Sequence, residues 1–191
     1  MKSPLVVGYK GEIGSFILGC LIKNMDKAVD ISCFDINETE DERLERINKS
    51  NFIFLCVPIQ ETVSWLLKYK DNLKGKIVVE QCSLKEFVLN DKRLKSLNIL
   101  SMYFLFRPSI THERSDRRVV MLNSQGHGDM GMMMWKGITR AGIETLFDSD
   151  VVCVEDAREH DKIMAANQAL LHHLVADEFI DANYTLISRE R

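Results

Sequence analysis

Short apolar runs alternate with amphipathic stretches along most of this chain. Leu5-Val6-Val7 is an unbroken apolar run that ends at Gly8, after which Phe16, Ile17, Cys20 and Leu21 recur at helical spacing. Residues 31–34 read as a second strand. Residues 39–48, rich in Glu and Arg, read as a short exposed helix that turns Leu44 and Ile47 inward. Residues 52–57 form a continuous apolar stretch halted by Pro58, the pattern of a strand buried on both faces of a parallel sheet. A helix over 62–69, a strand over 76–80 and a helical turn over 84–89 follow. Further strands are predicted at 99–103, 119–123 and 151–154, and a long helix starts near Asp156 and runs toward Asn183. Met130, Met132, Met133 and Met134, with Trp135, read as helix-core filling.

The first strand-to-helix junction carries the candidate chemistry. Gly8-Tyr9-Lys10-Gly11-Glu12-Ile13-Gly14 joins the first strand to the first helix. Glycines there permit backbone angles closed to other residues and let the main chain approach a pyrophosphate that the helix N-terminus stabilises. A G-x-G-x-x-G alignment on Gly11 and Gly14 puts Tyr9 at the first glycine, so Gly8 must take that turn. Asp35 ends the second strand about 20 residues beyond Gly14, where a carboxylate can hold a ribose 2′-hydroxyl. A carboxylate repels a 2′-phosphate, and Ile36, Asn37 and Glu38 add no cation, so NAD is expected in preference to NADP. The alternatives are a plain strand-to-helix turn and, for Asp35, a strand-ending turn residue. Alternation of strand and helix predicts an α/β, Rossmann-like, doubly wound and mostly parallel sheet with its site at the strands' C-terminal ends. Residues 1–155 are assigned to that domain, and 156–191 to a helical segment suited to dimerisation.

Composition narrows the class. With 46% hydrophobic and 28% charged residues and three prolines, the chain is ordinary for a globular protein. A net charge of −3 gives no electrostatic reason for nucleic-acid or anionic-membrane partners. No signal-peptide pattern or long apolar run stands out, so a cytoplasmic location is expected. Five cysteines, none in C-x-x-C spacing and mostly within apolar runs, read as buried free thiols, not bridges or metal ligands.

The strand ends, taken together, resemble a known family. Val57-Pro58-Ile59 followed by Thr62, Ser83-Leu84-Lys85 after a strand, Glu159-His160-Asp161-Lys162 with Met164, and Gln168-Ala169-Leu170-Leu171-His172 are similar in order and spacing to prephenate dehydrogenases of tyrosine biosynthesis. Gly8, Gly11 and Gly14 match that family's glycine turn. The resemblance implies NAD-dependent oxidative decarboxylation of prephenate or a related cyclic acid, with hydride passing to the nicotinamide and a histidine taking the hydroxyl proton. It implies that Ser83 lies near the substrate hydroxyl and that His172 borders the substrate; Lys85 and Gln168 on the matching segments, and Arg107 on the chemistry of its fork alone, are the candidate substrate contacts. Glu12, Ile13, Val57 and Pro58 join Gly8, Gly11, Gly14 and Asp35 as cofactor contacts, and no metal is expected. Without the resemblance, Ser83 reads equally as a helix N-cap, His160 as a residue fixing the start of its helix, and His112 and His127 as surface residues.

Two departures qualify the resemblance. The family's catalytic histidine opens a His-Pro-Met-Phe-Gly-Pro segment, and here the stretch is Tyr103-Phe104-Leu105-Phe106-Arg107-Pro108. General-base catalysis works best with a pKa near the working pH, and tyrosine ordinarily titrates near 10. Tyr103 or a water must therefore stand in for the histidine. Arg107 replaces a glycine, and its fork suits a substrate carboxylate or a cofactor phosphate. Beyond His172 about twenty residues remain, which leaves little of the family's helical dimerisation domain, and Arg189 and Arg191 do not map onto its substrate arginine. The long helix, apolar at Ile163, Leu170, Leu174 and Phe179, is expected to pair with its copy in a homodimer. The alternative to an enzyme is a non-catalytic or regulatory NAD-binding protein.

Overall fold

The computed structural model describes residues 3–122 and 140–166. Its sheet contains β1 (Pro4–Val7), β2 (Ser32–Phe34), β3 (Phe52–Leu55), β4 (Ile77–Glu80), β5 (Asn98–Phe104), β6 (Arg118–Leu122) and β7 (Asp150–Val154). Their order is β2-β1-β3-β4-β5-β6-β7, with all pairings parallel except β5 against β6. This is the Rossmann-like α/β arrangement that the alternating pattern predicts. Because β1 lies between β2 and β3, the chain reverses its direction of travel across the sheet there. That switch opens a crevice beyond the C-terminal ends of β1 and β3.

Successive strand residues point to opposite faces, and the cores divide accordingly. Leu5, Val7, Ile53, Leu55, Val78 and Ile99 pack one face against α2 (Glu40–Lys49), α3 (Ile59–Lys68) and α4 (Glu86–Leu89), through Ile47, Val63, Leu66 and Val88. Val6, Phe54, Val79, Leu100 and Met102 pack the other against α1 (Glu12–Asn24) and the helix at 140–147, here α5. Phe147 of α5 stacks on Phe16 and meets Phe54 and Phe104 edge-on. A last helix, α6, occupies residues 157–166 within the described chain.

Local chemistry explains several boundaries. Thr39 caps α2 in a reciprocal box: its hydroxyl accepts from the Glu42 N–H, and the Glu42 carboxylate accepts from the Thr39 N–H at 2.8 Å. Pro58 is the N-cap of α3, so that helix begins at Ile59, one turn before the predicted 62. The strand predicted to 57 ends at Leu55, where the chain turns into the crevice. α5 has no counterpart among the sequence-based elements, although Ile143 and Phe147 sit one helical turn apart and are both buried. The methionine cluster and the end of the long helix lie outside the described residues, as does the division at 155 and 156 insofar as it depends on them.

Candidate functional site

The glycine turn is built for close approach. Gly8 has φ +79°, and a Cβ on it would stand 2.3 Å from the Cys56 carbonyl oxygen. A Cβ on Gly14 would stand 2.1 Å from the Gly8 carbonyl oxygen, whereas Gly11 has only a 3.4 Å neighbour. Gly8 and Gly14 thus close the strand–turn–helix junction, and Gly11 leaves its outer side open. Gly11 is also the N-cap of α1 and offers no side chain to the first-turn amides, which remain available to an anion.

Gly8, Gly11, Asp35, Arg43, Val57 and Pro58 line a crevice of about 300 Å³ at the switch point, with Trp65 along its wall. Asp35 is held in place: its carboxylate accepts from the Lys10 N–H at 3.0 Å and from the Ile36 N–H at 2.9 Å. Arg43 reaches in from α2. Its Nη2 donates to the Ile36 carbonyl at 2.6 Å, while its Nε is buried without a partner. Reading only the three residues after Asp35 missed this cation, because the helix brings it back from eight positions on. The capping box at Thr39 is the signal that could have placed Arg43, since it fixes where α2 starts.

The residues expected to carry chemistry lie on the β4–β5 side of the sheet. Lys85 is fully enclosed: Nζ donates to Glu80 Oε1 at 2.9 Å and to the Met102 carbonyl at 2.6 Å. Glu80 also accepts from the Cys82 N–H at 2.7 Å and from the Ser101 hydroxyl. The Lys85 ammonium is therefore spent inside the protein and is not presented to a ligand. Tyr103 is half-buried, with Lys85 Nζ 5.9 Å from its ring centre and the buried His160 ring edge-on at 6.4 Å. His160 Nδ1 lies 2.9 Å from Asp161 Oδ1, and its Nε2 is buried and unpartnered.

Asp161 has a role that sequence reasoning gave to others. Its carboxylate accepts from the Lys85 N–H at 2.8 Å and the Glu86 N–H at 2.8 Å, capping α4 from 75 residues away. Burial works to raise its pKa, but the bonds from His160, Glu86 and Lys85 prevail and hold the carboxyl below the usual range. Ser83 is therefore not the N-cap of that helix; it is half-buried in the segment before it. Asp156, whose side chain accepts from the Glu159 N–H at 2.9 Å, fixes the start of α6, and His160 instead packs inward. Arg107 lies on Glu12, with Nε 3.3 Å from Oε2.

His172 and Gln168 lie outside the described residues, as does His127; His112 is exposed. The five cysteines are all free, but the expected burial holds fully for Cys82 and fails for Cys153, which is exposed near the end of the sheet's last strand. Burial, then the nearby Glu80, push the Cys82 thiol up to about 12, so no reactive thiolate forms there. Among the described residues no group of three His, Cys, Asp or Glu could hold a metal ion, and no helix is long and apolar enough to cross a membrane. A second, larger groove of about 600 Å³, between Leu21, Phe52 and Leu146, has no titratable lining residue.

No protein-family model matches the chain, and no curated protein matches it. In structure it is similar to a protein of Corynebacterium glutamicum provisionally named a prephenate dehydrogenase: 17% identity, TM-score 0.65, covering 90% of this chain and 61% of that one. A semialdehyde dehydrogenase NAD-binding protein of Cupriavidus necator, solved with calcium and NAD, matches at 12% identity and TM-score 0.63, over 94% of this chain and 75% of that one. An imine reductase of Myxococcus stipitatus, solved with NADP+, matches at 15% identity and TM-score 0.59, over 92% of this chain and 60% of that one. At these identities the likeness establishes the shared fold.

Proposed function

We propose that this chain binds a nicotinamide dinucleotide and acts as a dehydrogenase of prephenate or a related cyclic hydroxy acid, with a place in tyrosine biosynthesis. The observation that carries the reading is the switch-point crevice, where a left-handed Gly8, an open Gly11 and a pre-oriented Asp35 converge. In this reading the first-turn amides of Glu12 and Ile13 receive the diphosphate, Asp35 takes the adenosine ribose hydroxyls, and Val57 and Pro58 form the opposite wall. Bound there, the cofactor supplies the hydride acceptor. Ser83 would orient the substrate hydroxyl, and Tyr103 or a water would take its proton, with His172 and Gln168 completing the substrate side.

The structural likeness to oxidoreductase domains, two of them solved with NAD or NADP+, supports the dehydrogenase class. Asp35 favours NAD; Arg43 gives NADP a charge partner and narrows that preference. Lys85 is reassigned from substrate contact to internal counter-ion of Glu80. The protein is taken to work in the cytoplasm as a homodimer paired through its C-terminal helices, without nucleic-acid or membrane partners. Sedimentation at micromolar concentration checks the dimer, and a monomer there would contradict it.

A second reading, a cofactor-binding protein without turnover, is favoured by one feature: the position of the family's catalytic histidine holds Tyr103, whose ring lies near both Lys85 and His160. NADH formation from NAD and prephenate decides between them. Turnover supports the enzyme. Silence in a chain that still binds NADH supports the second reading, and a large gain on Tyr103→His would then mark a degenerate site.

A further inference from the structure

Glu12 poses an electrostatic problem that the loop after β5 answers. It is the first residue of α1, beside the amides that would hold the diphosphate, and it carries a carboxylate where two further negative charges would arrive. Like charges so close would oppose binding. Yet that carboxylate is not left to itself. Oε1 accepts from the Ser109 hydroxyl at 2.5 Å and from the Ser109 N–H at 3.2 Å, and Oε2 pairs with Arg107 Nε at 3.3 Å. The Ser109 bonds, with Arg107 behind them, lower its pKa, so it is ionised near neutrality.

The strap is anchored at both ends. Phe106 meets the Phe16 ring of α1 edge-on at 5.7 Å, and the Ile110 and Thr111 amides donate to the Arg107 carbonyl, closing a turn. Arg107 spends only Nε on Glu12; its two terminal amino groups have no partner among the described residues, and its side chain is 71% exposed.

We infer that Arg107 is a diphosphate-binding residue, positioned over the glycine turn by Glu12 through the Ser109 strap. The inference rests on the dinucleotide reading above and deepens it. Glu12 fixes where the guanidinium sits and cancels part of its charge, and the free edge of the fork takes the phosphate oxygens. This places Arg107 on the cofactor, not on a substrate carboxylate.

The test is calorimetric titration of the full chain with NAD and with ADP-ribose, which shares the diphosphate but lacks nicotinamide. Arg107→Ala is expected to weaken both by a similar factor, about tenfold, and to flatten the dependence of affinity on salt. Arg107→Lys should restore part of the loss. Glu12→Gln, which keeps an acceptor for Ser109 and removes the charge, should tighten both by about threefold. A structural contact alone would move both variants in the same direction and leave the salt dependence unchanged. Unchanged affinity in Arg107→Ala, or a loss for NAD with none for ADP-ribose, overturns the inference while the dinucleotide reading stands. A folded wild-type chain that binds neither ligand overturns the dinucleotide reading itself, and the inference with it.

Discussion

The two halves of the sheet's C-terminal edge are built on opposite plans. Around β1 and β3 the crevice is made of backbone: glycines without side chains, open amides, and a carboxylate held by two N–H groups. Around β4 and β5 the polar side chains are numerous but turned inward, with Glu80, Lys85, Ser101, His160 and Asp161 bonded largely to one another and to main chain. The first half is open to a ligand, whereas the second spends its charges on holding β4, β5, α4 and α6 together. Lys85, His160 and Asp161 thus have an architectural role that is independent of any turnover.

Breaking the inward half should have the largest effect. Lys85→Met leaves the Glu80 carboxylate buried and uncompensated, at a cost of about 3–5 kcal/mol by urea denaturation. Glu80→Gln in the same chain should recover a substantial part, which would show that the penalty is the orphaned charge. In the outward half, Gly8→Ala forces a side chain into a φ of +79° and against the Cys56 carbonyl oxygen. It should cost about 1–3 kcal/mol and abolish NADH binding, whereas lesions confined to the buried network should leave affinity in the surviving folded protein nearly unchanged.

Asp161→Asn sharpens the contrast through pH. The folded carboxyl lies below its ordinary value, so its stabilisation is complete above the unfolded pKa of about 4 and is lost as pH falls through the lower, folded value. The variant should be about 1–2 kcal/mol less stable than wild type at pH 7, and the gap should narrow as pH falls below the ordinary carboxyl value of about 4 in paired thermal melts. The smallest effect is expected from Arg43→Ala: NAD affinity within about threefold of wild type, and NADP affinity lower by about tenfold, by titration with each.

The contrast also explains what was legible in the sequence. Backbone devices are local, so the run from Leu5 through Gly14 and the acidic end of β2 announced the crevice directly, as apolar alternation announced the sheet. The inward network depends on partners far apart in the chain. Nothing near Ser83 shows that Asp161 caps α4, nothing near Lys85 shows that its ammonium is enclosed, and nothing after Asp35 shows Arg43 returning from α2. Glu12 was legible as a turn residue, but its partners Arg107 and Ser109 are about 95 residues distant and meet it where the loop after β5 packs Phe106 onto Phe16 of α1.

The central claim is that the crevice takes a nicotinamide dinucleotide. Trp65 lies on its wall, so titration with NADH, following quenching of tryptophan emission and sensitised nicotinamide fluorescence, tests that claim most directly. The account predicts saturable binding at micromolar NADH that Gly8→Ala removes. A folded chain showing no saturable response to NADH or NADPH into the millimolar range would contradict it.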